Sequence, residues 1–227
     1  MASQLIRHVK EWVWQTPPYR WKARRAERRL EALREPYLPQ IRQIVGEDTS
    51  IIGCNCFPGR IMQDLGMVYN TPTLGLYIWA PDFIELLSHL RYYMTEARLT
   101  FAPHSKYAIG DQRRAERDQW YPIGLLDEKV EVVFLHYHSE EEAAEKWHRR
   151  AARINWDRLL VVGMEQNLCT EQCIRDFDRL PFERKVFFST RELPGLQSNC
   201  RIGEFEGEVG DPYRWAHLFY RELAARF

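Results

Sequence analysis

The sequence predicts an α/β fold in three layers, a mostly parallel sheet with helices on both faces, plus a basic helical arm at the N-terminus. Three observations predict it. From residue 49 onward, short apolar or β-branched runs alternate with stretches of helical periodicity, the pattern of strands joined by crossover helices. Several of those runs, such as the one from Val130 to Leu135, are nearly continuous in apolar character, as expected of strands buried on both faces. The first 45 residues differ: ten basic residues (Arg7, Lys10, Arg20, Lys22, Arg24, Arg25, Arg28, Arg29, Arg34, Arg42) stand against four acidic ones (Glu11, Glu27, Glu31, Glu35), a net +6.

In the arm, residues 1–45, Trp12, Val13, Trp14, Tyr19 and Trp21 interleave with the charge, and Pro17-Pro18 divides a short piece from a longer helix ending near Pro36. Basic residues with interfacial aromatics suit peripheral contact with an anionic membrane surface. A helix packed on the domain with solvated arginines accounts for the same pattern. Residues 46–227 are expected to form a single α/β domain.

Strands are predicted at Ser50 to Cys54, Leu74 to Ile78, Val130 to His136, Leu159 to Val162 and Lys185 to Ser189, with a weaker one near Arg201 to Phe205. Between them, Ile61, Leu65 and Val68 share a helical face, and Phe83, Leu86, Leu87, Leu90, Tyr93 and Met94 form an amphipathic stripe after Pro81-Asp82. Ser139 with Glu142 reads as a capping box for a helix running towards Arg153, and Thr170 caps another reaching about Leu180. A last helix spans Pro212 to Phe227. The charged stretch from Pro103 to Trp120 reads as a long surface loop.

Composition bounds the function. With 45% hydrophobic and 28% charged residues the chain folds. Its 32 basic and 32 acidic side chains cancel, which argues against a nucleic-acid partner. No signal-length apolar stretch opens the chain and no run is long enough to span a membrane, so a cytoplasmic protein is expected, peripheral to the inner membrane if the arm binds it. Five cysteines (Cys54, Cys56, Cys169, Cys173, Cys200) without an export signal are expected as thiols.

In open parallel sheets ligands bind at the carboxyl ends of strands. That rule gathers Asn55, Cys56 and Gly59 after the first strand, His136 and His138 after the Val130 run, and Cys169, Thr170 and Glu171 after the Leu159 run. Cys56 precedes a helix, whose N-terminal dipole favours a thiolate; His136 is then its base, and Asn55 or the following turn stabilises an oxyanion. A buried small Cys and a satisfied strand His are the plain alternatives. Cys54-x-Cys56 and Cys169-x-x-x-Cys173 fit zinc spacing poorly, and no metal is expected. Lys146, Trp147, Arg150 and Arg153 lie on one helix and suit phosphates, although a basic C-terminal half also simply complements the helix dipole. Glycine-rich phosphate loops and a Walker lysine are absent.

Several segments in order, Ser50 to Arg60, Gln63 to Ile78, Tyr121-Pro122-Ile123-Gly124, Leu135-His136-Tyr137, Glu145-Lys146-Trp147, Arg153-Ile154-Asn155-Trp156 and Cys169-Thr170-Glu171, resemble a bacterial domain-of-unknown-function family, number 1919, found in exopolysaccharide and capsule gene clusters. The resemblance covers about residues 49 to 190. Cys54 stands where that family has Asn, and Pro58 where it has a small residue. The resemblance implies a setting in surface-polysaccharide biosynthesis and adds Tyr121 to the substrate-binding candidates. The Asn-Cys turn is also similar to that of Cys-His capsule acetyltransferases that use coenzyme A, which implies Cys56 as nucleophile and His136 as base. The expected activity is acyl transfer from acyl-CoA to a glycan or sugar precursor. A sugar-nucleotide-dependent glycosyltransferase using carboxylates such as Asp82, Asp127 and Glu171 is the alternative, as is a non-catalytic glycan-assembly partner at the membrane.

Overall fold

Alternation of apolar runs with helical periodicity resolves, among the described residues, into eight strands and nine α-helices. The computed structural model describes residues 17–227. In chain order these are α1 (Pro17–Arg34), a 3-10 turn at Glu35–Tyr37, α2 (Leu38–Val45), β1 (Ser50–Gly53), α3 (Phe57–Leu65), β2 (Tyr77–Ile78), α4 (Ala80–Ser88), α5 (Leu90–Thr95), β3 (Leu99–Ala102), α6 (Ala108–Arg117), β4 (Ile123–Leu126), β5 (Val130–Val133), α7 (Glu140–Ala151), β6 (Leu159–Met164), α8 (Glu171–Arg179), β7 (Lys185–Ser189), β8 (Asn199–Arg201) and α9 (Ala216–Arg226). Trp12, Val13 and Trp14 of the arm lie outside the described residues.

The α/β class holds, and the strands divide between two sheets. One is wholly parallel, in the order β1-β6-β7-β8. Its central strand β6 is buried from Leu160 to Met164, as a strand covered on both faces must be. Gly163 is required there, because a Cβ at that position would meet the Phe187 ring at 2.2 Å. The other sheet is antiparallel, in the order β2-β5-β4-β3, and is inserted between β1 and β6 in sequence. The Val130 run therefore pairs antiparallel, against the expectation of a mostly parallel sheet. The cause is the β4–β5 turn, where Asp127 and Glu128 both take positive φ (46° and 58°) and Lys129 N–H donates to Leu126 O at 3.0 Å. That is primed-turn geometry matching strand twist, reached here without the usual Asn-Gly.

Other departures are local. The Pro103 to Trp120 stretch contains α6 rather than one long loop. The α3 helix stops at Leu65 with Gly66 left-handed (φ 67°), so Val68 lies outside it and is 76% exposed. The stripe after Pro81 breaks at His89 into α4 and α5, and the final helix begins at Ala216. Both predicted caps form: Ser139 Oγ accepts from Glu142 N at 3.1 Å while Glu142 accepts from His138 N at 2.9 Å, and Thr170 Oγ1 accepts from Cys173 N at 3.3 Å.

The basic N-terminal segment enters the core at its end. Ile41 and Val45 of α2 are fully buried, and Arg34, 2% exposed, pairs with Asp64 of α3 at 2.9 Å. Asp64 also pairs with Arg60 and accepts from Tyr220 Oη at 2.8 Å, tying α1, α3 and α9 together. Among the described residues no helix is long and apolar enough to cross a membrane. The two sheets meet where Ile78 N donates to Cys54 O at 2.8 Å, which sets the carboxyl end of β1 against β2.

Candidate functional site

The turn after β1 is built tightly. Gly53 lets Pro58 fold over it, since a Cβ there would meet Pro58 Cγ at 2.6 Å. Cys54 turns inward and is buried. Asn55 Oδ1 accepts from Phe57 N at 3.0 Å, and its Nδ2 donates to Gln166 Oε1 at 2.9 Å and contacts Met164 Sδ at 3.0 Å. Gln166 in turn donates to Val209 O (2.8 Å) and Gly210 O (3.1 Å), so one amide pair joins the β1 turn, the β6 end and the loop before α9. Cys56 is the N-cap residue of α3, half-buried, with its thiol directed at Leu76 O, 3.6 Å away.

The opposite wall follows β5. His136 N donates to Gly75 O at 3.0 Å, leaving the imidazole exposed on a cavity of about 900 Å³ that Cys56 also lines. Tyr137 donates to Leu74 O (2.7 Å) and accepts from Arg150 (2.7 Å). Arg150 lies over the Tyr69 ring at 5.4 Å; Lys146 lies over Tyr137 at 5.4 Å and pairs with Glu142. Arg113, held by Asn167 Oδ1 at 2.8 Å, also lines the cavity, as do Glu208, Asp211 and Tyr213.

Electrostatics here overturn one expectation. Burial, followed by the negative charge of Asp211, pushes the Cys56 thiol up to about 11. Desolvation outweighs the helix dipole, and the resting group at neutral pH is a thiol rather than a thiolate. Partial desolvation by the cavity walls lowers the His136 pKa below its ordinary 6.5, although the side chain stays open to the cavity, so the imidazole is neutral at pH 7 and able to accept a proton. Tyr213 is raised to about 12, by burial and then by Cys56.

Of the residues singled out in the sequence, Asn55, Cys56, Gly59, His136, Lys146 and Arg150 line this cavity. The others are elsewhere for physical reasons. Tyr121 (1% exposed) packs with Tyr77, Trp79 and Val133, and Trp147 is buried edge-on to Phe134 at 6.1 Å. His138 is exposed at the α7 cap. Arg153 donates to Tyr69 O from outside at 3.3 Å. Thr170 is used as the α8 cap, and Glu171 pairs with Arg175 at 2.6 Å. Asp82 and Asp127 do not line the cavity either. Sequence reading missed Arg113, Gln166, Asn167, Glu208, Asp211 and Tyr213. Arg113 lies in the stretch read as a surface loop, and Asp211 immediately precedes the Pro212 at which the last helix is read to begin, with no local signal of what it faces.

The Domain of unknown function (DUF1919) model matches residues 35–227. The chain belongs to the DUF1919 family. An uncharacterized protein of Haemophilus influenzae is 33% identical over 177 residues, covering 77% of this chain and 79% of that protein. The DUF1919 match takes in every residue lining the cavity and leaves all of α1 upstream.

Proposed function

We propose that the DUF1919 cavity carries out acyl transfer through a covalent intermediate on Cys56, moving an acyl group, acetyl in the simplest case, from acyl-CoA to a hydroxyl of a surface-polysaccharide glycan or its sugar precursor. The observation that carries this reading is the convergence of Cys56 and His136, from the ends of strands in different sheets, on one cavity that also holds Lys146, Arg150 and Arg113. Guanidinium and ammonium groups suit the phosphates of the donor.

His136, neutral at pH 7, takes the proton of Cys56 as the sulfur attacks the thioester carbonyl. The new S–C bond forms, the bond to the coenzyme sulfur breaks, and that sulfur leaves with the proton from the imidazolium. In the second half, the acceptor hydroxyl gives its proton to His136 as its oxygen bonds the acyl carbon. The Cys56 S–C bond then breaks and the sulfur recovers the proton. Because burial holds Cys56 as a thiol, deprotonation accompanies attack instead of preceding it. The Asn55 amide is committed to Gln166 and Met164, so it orients the turn. In the first turn of α3 the Phe57 N–H is taken by Asn55, Pro58 has none and the Arg60 N–H donates to Cys56 O, which leaves the Gly59 N–H to receive the oxyanion.

Incubation with acetyl-CoA followed by intact-mass measurement tests the reading. One hydroxylamine-labile acyl group is expected on the native chain and none on Cys56→Ala, and His136→Asn should slow acylation roughly 10²- to 10⁴-fold. An acyl adduct or undiminished transfer in Cys56→Ala would sink the covalent mechanism.

A further inference from the structure

Beyond Tyr213 and Asp211, which wall the cavity at Cys56, lies a second groove of about 1070 Å³ formed against α1. The two spaces share those residues as a common wall. Ala26, Leu30 and Leu33 line the groove at i, i+4, i+7 spacing, a single stripe of one helix, and Leu33 is 49% exposed. Arg29 follows the same helix beside the stripe, and Arg60 and Arg214 line the groove from α3 and the loop before α9. The carboxylates present are already engaged: Glu27 lies 3.5 Å from Arg34 and 3.7 Å from Arg60, and Asp211 accepts from the N–H groups of Tyr213 (2.8 Å) and Arg214 (2.9 Å).

Arginines on a helix face are usually no more than solvated charge. What distinguishes this face is the exposed apolar stripe set among the guanidinium groups, and its position one residue away from a cavity carrying a nucleophile. An apolar floor with guanidinium groups beside it is complementary to an amphiphilic anion, because alkyl surface is removed from water while the Arg forks meet phosphate oxygens. Arg60 and Arg214 stand at the Tyr213 boundary, where a phosphate linking head and chain would lie.

We infer that this groove seats the phosphate-linked apolar chain of the acceptor, with the chain along Leu30 and Leu33, the phosphate beside Arg29 and Arg214, Arg60 held on Asp64 behind them, and the hydroxyl-bearing head reaching past Tyr213 to Cys56. The inference deepens the acyl-transfer reading and rests on it for the role of the head group.

Titration calorimetry on the full chain with octyl phosphate below its micellar concentration tests it, against octanol, inorganic phosphate and anionic phospholipid vesicles. Octyl phosphate should bind about tenfold more tightly than inorganic phosphate or octanol. Arg29→Glu, Arg214→Glu and Leu33→Asp, all at exposed positions, should each weaken it roughly tenfold with an unchanged far-UV spectrum. Cys56→Ala should bind as the native chain does. Equal affinity for octyl phosphate and inorganic phosphate, or indifference to the charge reversals, overturns the groove. Response to vesicles alone overturns it too, making α1 a bilayer-binding surface. If thioester forms and no amphiphile binds, the groove alone fails; if amphiphile binds and no thioester forms, the groove stands as a ligand site and the acyl-transfer reading fails.

Discussion

Two polar clusters flank β5, and they differ in how fully their groups are satisfied. Glu131 is completely buried, and its carboxylate accepts from Trp79 Nε1 (2.7 Å), Ser105 Oγ (2.6 Å) and Lys106 N (2.7 Å). Asp82 beside it accepts from Lys106 Nζ (2.7 Å), Tyr107 Oη (2.8 Å) and Glu131 N (2.8 Å). These carboxylates staple the segment before α6 onto the antiparallel sheet. At the Cys56 cavity the thiol has one long contact with a carbonyl and the His136 ring faces open space. A buried carboxylate held by three donors acts in stability; a nucleophile and a base with unused hydrogen-bonding capacity are available to a substrate. Asp82 belongs to the first kind.

The contrast can be broken most directly at Glu131. Replacing it with Ala leaves the buried Trp79 Nε1–H and the partly buried Ser105 and Lys106 donors without their acceptor, and should cost roughly 2–4 kcal/mol in chemical denaturation; a loss below about 1 kcal/mol would mean that the cluster is not structural. Asn55→Ala probes the boundary between the two kinds, since it frees the Phe57 N–H and Gln166. An unfolding cost of roughly 1–3 kcal/mol is expected, with a slower acylation that Asn55→Gln does not restore.

Smaller effects sharpen the cavity itself. Asp211→Asn keeps the side-chain oxygen that accepts from Tyr213 and Arg214 while removing the charge that raises the Cys56 thiol. Iodoacetamide labelling of Cys56 at pH 8 should therefore accelerate about two- to fivefold; an unchanged rate would assign the shift to burial alone. The smallest expected change is in the acid limb. Partial desolvation in the cavity lowers the folded pKa of His136 below 6.5, so its basic form persists as pH falls past 6.5 and disappears only through the lowered pKa. The acylation rate should accordingly hold at pH 6.5 and decline below it, and a decline centred above 6.5 would point to a different base.

Much of the fold was legible because its signals are local. The capping pairs Ser139 with Glu142 and Thr170 with the α8 N-terminus involve neighbours in sequence, and the Lys185–Ser189 strand has its predicted bounds. The antiparallel sheet was hidden because β3 is only half-buried and the β4–β5 turn uses Asp127-Glu128, residues without a strong turn signature. Within the site, the Cys56 turn and His136 were legible as strand-end residues. Asp211 and Tyr213 were not, since their proximity to Cys56 depends on a loop more than 150 residues away along the chain.

By itself the sequence determined the alternation of strands and helices, the helix caps, and the placing of a cysteine at a strand-to-helix turn. These depend on hydrogen bonds and periodicities spanning a few residues. Tertiary structure decided which charges meet. It set Lys146 and Arg150 on the cavity while Arg153, on the same segment, faces outward, committed the Asn55 amide to Gln166, and kept the Cys56 thiol protonated. Burial and Coulomb energy follow distance in space, and distance in space between residues far apart along a chain is fixed only once the sheets have packed.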